Sequence, residues 1–251
     1  MENNVLIEIK DLTKVYLKGR EPALDKLNLN IYNGEIFGLL GPNGAGKTTT
    51  ISILCNLISS TEGYCKINGY DVQKDFISIK PFIGVVSQDI ALYQLLTPYE
   101  NLVYFGSMYS LPKKDLKERI DYFLEKMGLY KVKNEKIKYF SGGMKRRVNL
   151  IAGILHNPSL VFLDEPTVGI DVQSRMVILD HLNELNKEGV TLLYSSHMLD
   201  EAEKLCSRIA IIDYGKLLTV GTPSELTEQY NSNCNNLEDV FLHLTGRHVR
   251  D

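Results

Sequence analysis

Apolar and polar positions alternate along residues 5–15 and again along "ALDKLNLNI" (23–31), the period-two pattern of strands with one buried face. Asn33-Gly34 is a turn signal between the second of these and the next apolar run. That run, "EIFGLL" (35–40), stops at a glycine-rich loop, and residues 47–57 then read as a helix. Strand-like pieces recur at 64–67 and 83–86. From 90 to 155 the strand pattern disappears and helical periodicity takes over, with Pro98 near one helix start and Pro112 between segments. Strands return at "LVFL" (160–163), "VTLLYS" (190–195), "IAIID" (209–213) and "KLLTV" (216–220), with helical segments around 172–187 and 198–206. This order predicts an α/β fold with an inserted α-helical lobe. Residues 1–230 form the expected main unit. "NSNCNN" (231–236) reads as a flexible polar link to a last short helix at 237–244.

The loop after "EIFGLL" is "GPNGAGKT" (41–48), which fits G-x-x-x-x-G-K-[ST] between a strand and a helix, the setting that motif requires. Gly41, Gly44 and Gly46 let backbone N–H groups turn inward around a phosphate chain, and the helix start adds its positive end. Lys47 is placed to reach the β- and γ-phosphates, and the Thr48 hydroxyl to sit on Mg²⁺. A Ras-like GTPase is disfavoured. The nearest string to a guanine-reading NKxD is "NKEG" (186–189), which lacks the aspartate, and no DxxG occurs.

"LVFLDEP" (160–166) is an apolar strand ending in two carboxylates. The chain bends where a strand ends, so Asp164 and Glu165 can project differently into one site. Asp164 suits Mg²⁺, and Glu165 suits orienting and polarising an attacking water. His197 follows another apolar strand and is placed to contact a γ-phosphate or to steer Glu165 and the water. His156, His181, His243 and His248 have no such context and read as surface or packing residues. Gln88, after the 83–86 strand, offers an amide oxygen that can bridge Mg²⁺ or water.

"YFSGGMKRR" (139–147) runs a serine and two glycines into three cations at a helix start. Ser141 is the expected N-cap of a helix buried through Val148, Ala152 and Leu155. Lys145, Arg146 and Arg147 place positive charge where the helix dipole is already positive, so a nearby anion would relieve them.

The net charge of −3 disfavours a general nucleic-acid binder and does not touch the case for a local basic grip. Four scattered cysteines with no CxxC pair suggest neither a zinc site nor a disulfide framework. The N-terminal residues lack the pattern of a signal peptide, and no apolar run approaches the ~20 residues a membrane helix needs. A membrane role is therefore expected to come through a partner.

Taken in order, "GPNGAGKT", Gln88, "FSGGMKRR", "LVFLDEP", "GID" (169–171) and His197 resemble the ATP-binding-cassette (ABC) ATPases over nearly the whole chain. The resemblance implies a phosphate-loop NTPase core with an N-terminal antiparallel β-subdomain and an inserted helical subdomain. Its cofactors are ATP and Mg²⁺. It implies a head-to-tail homodimer, in which Ser141, Gly142 and Gly143 of one copy meet the γ-phosphate held by the other. Pro42, Asn43, Ala45 and Thr49 join the loop glycines, Lys47 and Thr48 as nucleotide-binding residues. Tyr16 matches the aromatic that stacks on adenine, and Asp171 would lie at the dimer seam. Gln88 would link nucleotide state to the helical lobe, and residues 88–100 would form a groove for a short helix of an integral membrane permease. Phe140 and Met144 stand where the family usually has leucine and glutamine. "GGMKRR", "EPTVGID" and "LEDVFLHLTGR" resemble the ATPase subunits of daunorubicin-resistance-type exporters, which sit at the cytoplasmic face of the membrane. A soluble cassette ATPase of cofactor assembly is the alternative.

Overall fold

The computed structural model describes residues 4–16, 21–230, 234 and 236–246. The two alternating N-terminal segments are β1 (Val5–Lys14) and β2 (Leu24–Tyr32), paired antiparallel. Ile7, Ile9, Leu27, Leu29 and Ile31 are buried while Lys10, Lys26 and Asn30 are exposed, which is the physical content of the period-two pattern. β1 also pairs with β4 (Glu62–Ile67), and β4 with the two-residue β5 (Tyr70–Asp71), giving an antiparallel sheet ordered β2-β1-β4-β5.

The second sheet contains β3 (Ile36–Leu40), β6 (Ile83–Val86), β7 (Leu160–Asp164), β8 (Thr191–Ser196), β9 (Arg208–Asp213) and β10 (Lys216–Gly221). Its order is β10-β9-β3-β8-β7-β6, parallel throughout except for the β9–β10 hairpin. Parallel strands covered on both faces need apolar residues at every position, and all five residues of β3 and of β7 are buried. Successive side chains serve opposite faces. Ile36, Leu40, Val161 and Leu163 enter one core, and Phe37, Leu39, Leu160 and Phe162 enter the other. The second core is closed by the antiparallel sheet and by α1 (Lys47–Leu54) and α2 (Phe76–Ile79).

The first core is closed by the helical insert and the C-terminal helices. The insert contains α3 (Pro98–Ser107), α4 (Lys113–Lys126) and α5 (Gly142–Ile154). The remaining helices are α6 (Val172–Lys187), α7 (Leu199–Leu205), α8 (Pro223–Gln229) and α9 (Leu237–Thr245). α3 starts on a capping box with Pro98 in its first turn: Glu100 N–H donates to Thr97 Oγ1 at 3.1 Å, and Thr97 N–H donates to Glu100 Oε2 at 2.8 Å. Thr222 and Glu225 repeat the device at α8, a helix that the sequence reading did not assign.

The buried face of α5 differs slightly from expectation. Val148 and Leu155 are buried, but Ala152 is only half-buried, and Ile151 and Ile154 fill the core instead. Residues 231–233 and 235 of the expected link, and His248, lie outside the described residues, while Cys234 between them is 2% exposed and packs in the core.

Candidate functional site

Strand order explains how distant motifs meet. Neighbouring parallel strands β3, β8, β7 and β6 all end on the same edge of the sheet. The segments leaving those ends carry, in turn, the phosphate loop, His197, the Asp164–Glu165 pair and Gln88. A crevice at the carboxyl ends of parallel strands is the usual ligand position in such sheets. Here it is a cleft of about 480 Å³ lined by loop residues Asn43 to Thr49 together with Ala23, Gln88 and Glu165. A larger cleft of about 600 Å³, between α4 and α6, contains none of these groups.

The loop is shaped by its own backbone. Gly46 has φ 108°, a conformation closed to residues with a Cβ, and this puts Lys47 at the first position of α1. Gly41, Ala45, Gly46 and Lys47 are buried, Pro42 and Thr49 are half-buried, and Asn43, Gly44 and Thr48 are exposed. Lys47 is 5% exposed, and its Nζ donates to Gly41 O at 2.8 Å and Pro42 O at 3.2 Å. Burial holds its ammonium below the usual lysine range, while Glu165 and Asp164 pull in the opposite direction. Tyr16, 45% exposed, lies beside the loop with its hydroxyl 3.4 Å from Thr49 Oγ1.

The acid pair is held by β8. Asp164 Oδ1 accepts a hydrogen bond from Ser195 Oγ at 2.5 Å. Glu165 leaves the strand at φ 49°, and its N–H donates to Ser195 O at 3.1 Å and lies 3.2 Å from Ser195 Oγ. That left-handed turn is why two consecutive carboxylates diverge. The Glu165 carboxylate is 8% exposed and gathers three groups: Lys47 Nζ at 3.6 Å, His197 Nδ1 at 3.2 Å and Gln88 Nε2 at 3.3 Å. Lys47, Gln88 and His197 therefore converge on Glu165, and Asp164 is near enough for its charge to act on Lys47. Ser195, which positions both acids, was not singled out in the sequence although it lies two residues before His197, because its role rests on contacts to the neighbouring strand.

The Ser141–Gly143 segment does not line this cleft. Ser141 is the N-cap of α5, accepting from Met144 N–H at 3.2 Å, and both Ser141 and Gly142 are exposed. Gly143 packs on the start of α6 so closely that a Cβ there would stand 2.2 Å from Ser174 Oγ and 2.7 Å from Asp171 Oδ2. At Gly142 the nearest atom would be 3.8 Å away, so packing within the chain does not require glycine there. Asp171 caps α6, with Oδ1 accepting from Ser174 N–H at 2.8 Å; that bond holds its carboxyl below the usual range.

The expectation that all three cations seek an anion is corrected. Arg146 is 6% exposed and donates to Gln88 O at 2.6 Å and Ser87 O at 3.2 Å. Arg147 donates to Met127 O at 2.6 Å. Both guanidinium groups donate to backbone carbonyls within the chain, although Arg146 Nε is buried without a partner, and Arg146 thereby ties α5 to the Gln88 segment. Phe140 is buried and Met144 packs against the same core, so both unusual residues serve apolar packing. His156 and His181 are packing residues: His156 stacks on Tyr109, and His181 meets the Phe123 edge.

Among the described residues no helix is long and apolar enough to cross a membrane. The family model described as "ABC transporter" matches residues 24–168. The linearmycin resistance ATP-binding protein LnrL of Bacillus subtilis is 44% identical over 240 residues, 96% of this chain and 75% of that protein. The daunorubicin/doxorubicin resistance ATP-binding protein DrrA of Streptomyces peucetius is 39% identical over 227 residues, 90% of this chain and 68% of that one. Among solved structures, the dimeric post-hydrolysis state of the ATP-binding cassette MJ0796 bound to ADP and Pi superposes with a TM-score of 0.78 at 28% identity, covering 86% of this chain and 98% of that one. Fold, strand-end constellation and relatives agree: the chain belongs to the ABC transporter family, as an ATP-binding and ATP-hydrolysing subunit.

Proposed function

We propose that this subunit drives an exporter by closing as a head-to-tail homodimer over ATP at the cytoplasmic face of a membrane. It attaches there through a separate permease that selects the cargo. The observation that carries the dimer is the placement of Ser141 and Gly142. They are exposed, they stand at a helix N-terminus as its N-cap and first residue, and they are absent from their own chain's cleft. A second copy is the partner whose phosphate they can reach, and a helix start presenting free N–H groups suits that anion. The resistance proteins among the relatives support export, and the dimeric cassette with ADP and Pi supports the assembly.

Within the site we assign phosphate binding to Gly41–Thr49, with Lys47 as the cation, and adenine stacking to Tyr16. Glu165 orients and accepts from the attacking water, and His197, 3.2 Å away, steers it. Mg²⁺ fits the donor set. Among the described residues no cluster of three acidic, histidine or cysteine side chains exists to cage a metal. An exposed Thr48 hydroxyl, the Asp164 carboxylate and the Gln88 side-chain amide oxygen are the hard oxygen donors typical of an ion completed by phosphates and water. The ion would neutralise charge on the phosphate oxygens. Asp171 sits beside Gly143 on the same chain, so the proposed seam residue and the Ser141–Gly143 segment pack together.

The permease is proposed to dock beside Gln88. Asn101 is fully buried and fixes the preceding loop: its Oδ1 accepts from Tyr93 N–H at 2.8 Å, and its Nδ2 donates to Thr97 O at 2.9 Å. Tyr93 and Leu95 stay 49% and 68% exposed on this rigid loop, an apolar surface for a short helix.

Ser141→Arg tests the assembly. The lost cap costs only about 1 kcal/mol, so the variant folds. The purified variant should bind MgATP as a monomer, fail to dimerise in light scattering, and lose turnover by about a hundredfold. An ATP-driven dimer of this variant would refute the cross-subunit arrangement.

A further inference from the structure

The buried carboxylate of Glu201 has no part in the site described so far. It lies in the first turn of α7, four residues after His197, and is 6% exposed. Its Oε2 accepts from Thr167 Oγ1 and from Tyr194 OH, each at 2.6 Å, and those two hydroxyls are 3.2 Å apart. Its Oε1 lies 3.1 Å from Arg175 Nε. A carboxylate removed from water is costly unless its lone pairs are used; here Oε2 takes both hydroxyl bonds, while Oε1 and Arg175 Nε face each other as an ion pair with no hydrogen bond between them.

What it joins is the relevant point. Thr167 lies on the short segment between Glu165 and Asp171. Tyr194 precedes Ser195, which holds both Asp164 and Glu165 N–H. Arg175 stands one turn into α6, its N–H bonded to Asp171 O at 3.0 Å. We infer that Glu201 is a positioning residue for ATP hydrolysis, tying the segment that carries Glu165 and Asp171 to the one that carries His197. It does not line the nucleotide cleft, so it acts through those residues and not on the substrate. Burial and the Glu201 charge both push the Tyr194 phenol up, which keeps it a donor at any working pH.

The inference rests on Glu165 and His197 being catalytic, and the test separates the two claims. Glu201→Gln keeps the shape but cannot accept from both hydroxyls and face Arg175 with a negative charge. In the full chain, kcat should fall about ten- to a hundredfold, because small displacements of reacting groups cost that much. KM and the equilibrium affinity for MgATP should stay within about twofold, as expected when only transition-state alignment is lost. Thr167→Val should reproduce the loss and Thr167→Ser should restore most of it. The Glu201→Gln/Thr167→Val double variant should be no slower than the slower single one, because the groups act as a unit. A folded Glu201→Gln chain with unchanged kcat would overturn the inference, as would affinity falling in step with kcat or additive losses in the double variant. Absence of turnover in the unsubstituted chain would instead remove the catalytic reading on which it stands.

Discussion

Replacing Glu165 by glutamine should reduce ATP turnover by about 10²- to 10⁴-fold while MgATP still binds. The substitution is nearly isosteric, and the backbone that positions residue 165 is independent of its side chain: the left-handed turn is held by Ser195 through the N–H. What disappears is the acceptor that His197 and Gln88 frame at 3.2 and 3.3 Å. A water polarised by an amide oxygen has no base to take its proton, so the step after closure stalls. With excess MgATP the variant should accumulate as a closed dimer, visible by size-exclusion chromatography with light scattering, and should dissociate when nucleotide is removed. Normal steady-state turnover in the folded variant would remove Glu165 as the group that accepts from water.

The elements of this site differed in how readable they were. The phosphate loop was legible because its chemistry is local: glycines, a lysine and a hydroxyl at fixed spacing between a strand and a helix. Asp164 and Glu165 were legible because an apolar strand ended on them. The fate of Arg146 was not, because its partners are the carbonyls of Ser87 and Gln88, 59 and 58 residues away. Local sequence shows a charge but not which way the helix turns it. Ser195 and Glu201 were silent for a related reason. Each works through contacts across neighbouring strands or helices, and strand order β3-β8-β7-β6 is a tertiary fact that no window of residues contains. The chain thus declares its substrate locally, while it sets its alignment nonlocally.

Lys47→Ala should have the opposite signature to Glu165→Gln. The ammonium is buried at the cleft floor, and two backbone carbonyls at 2.8 and 3.2 Å hold it in place. Burial disfavours its charge, so the site bears an electrostatic cost that an incoming phosphate chain offsets. A hydrogen bond to a charged group contributes about 1.5–3 kcal/mol, so losing it should weaken MgATP binding by at least about tenfold to a hundredfold. The loss should show at the binding step itself, in calorimetry or nucleotide fluorescence, and ATP should no longer drive dimer closure. A second consequence follows from the 3.6 Å ion pair: alanine removes the cation beside Glu165 and leaves that carboxylate facing the phosphates without compensation. Lys47→Ala combined with Glu165→Gln should therefore recover part of the lost affinity, because the glutamine amide does not repel the nucleotide. An unchanged affinity in Lys47→Ala would refute the phosphate-binding role. Full loss in Lys47→Ala with no recovery in the double variant would place the lysine's effect in direct phosphate contact alone, and not in the charge it shares with Glu165.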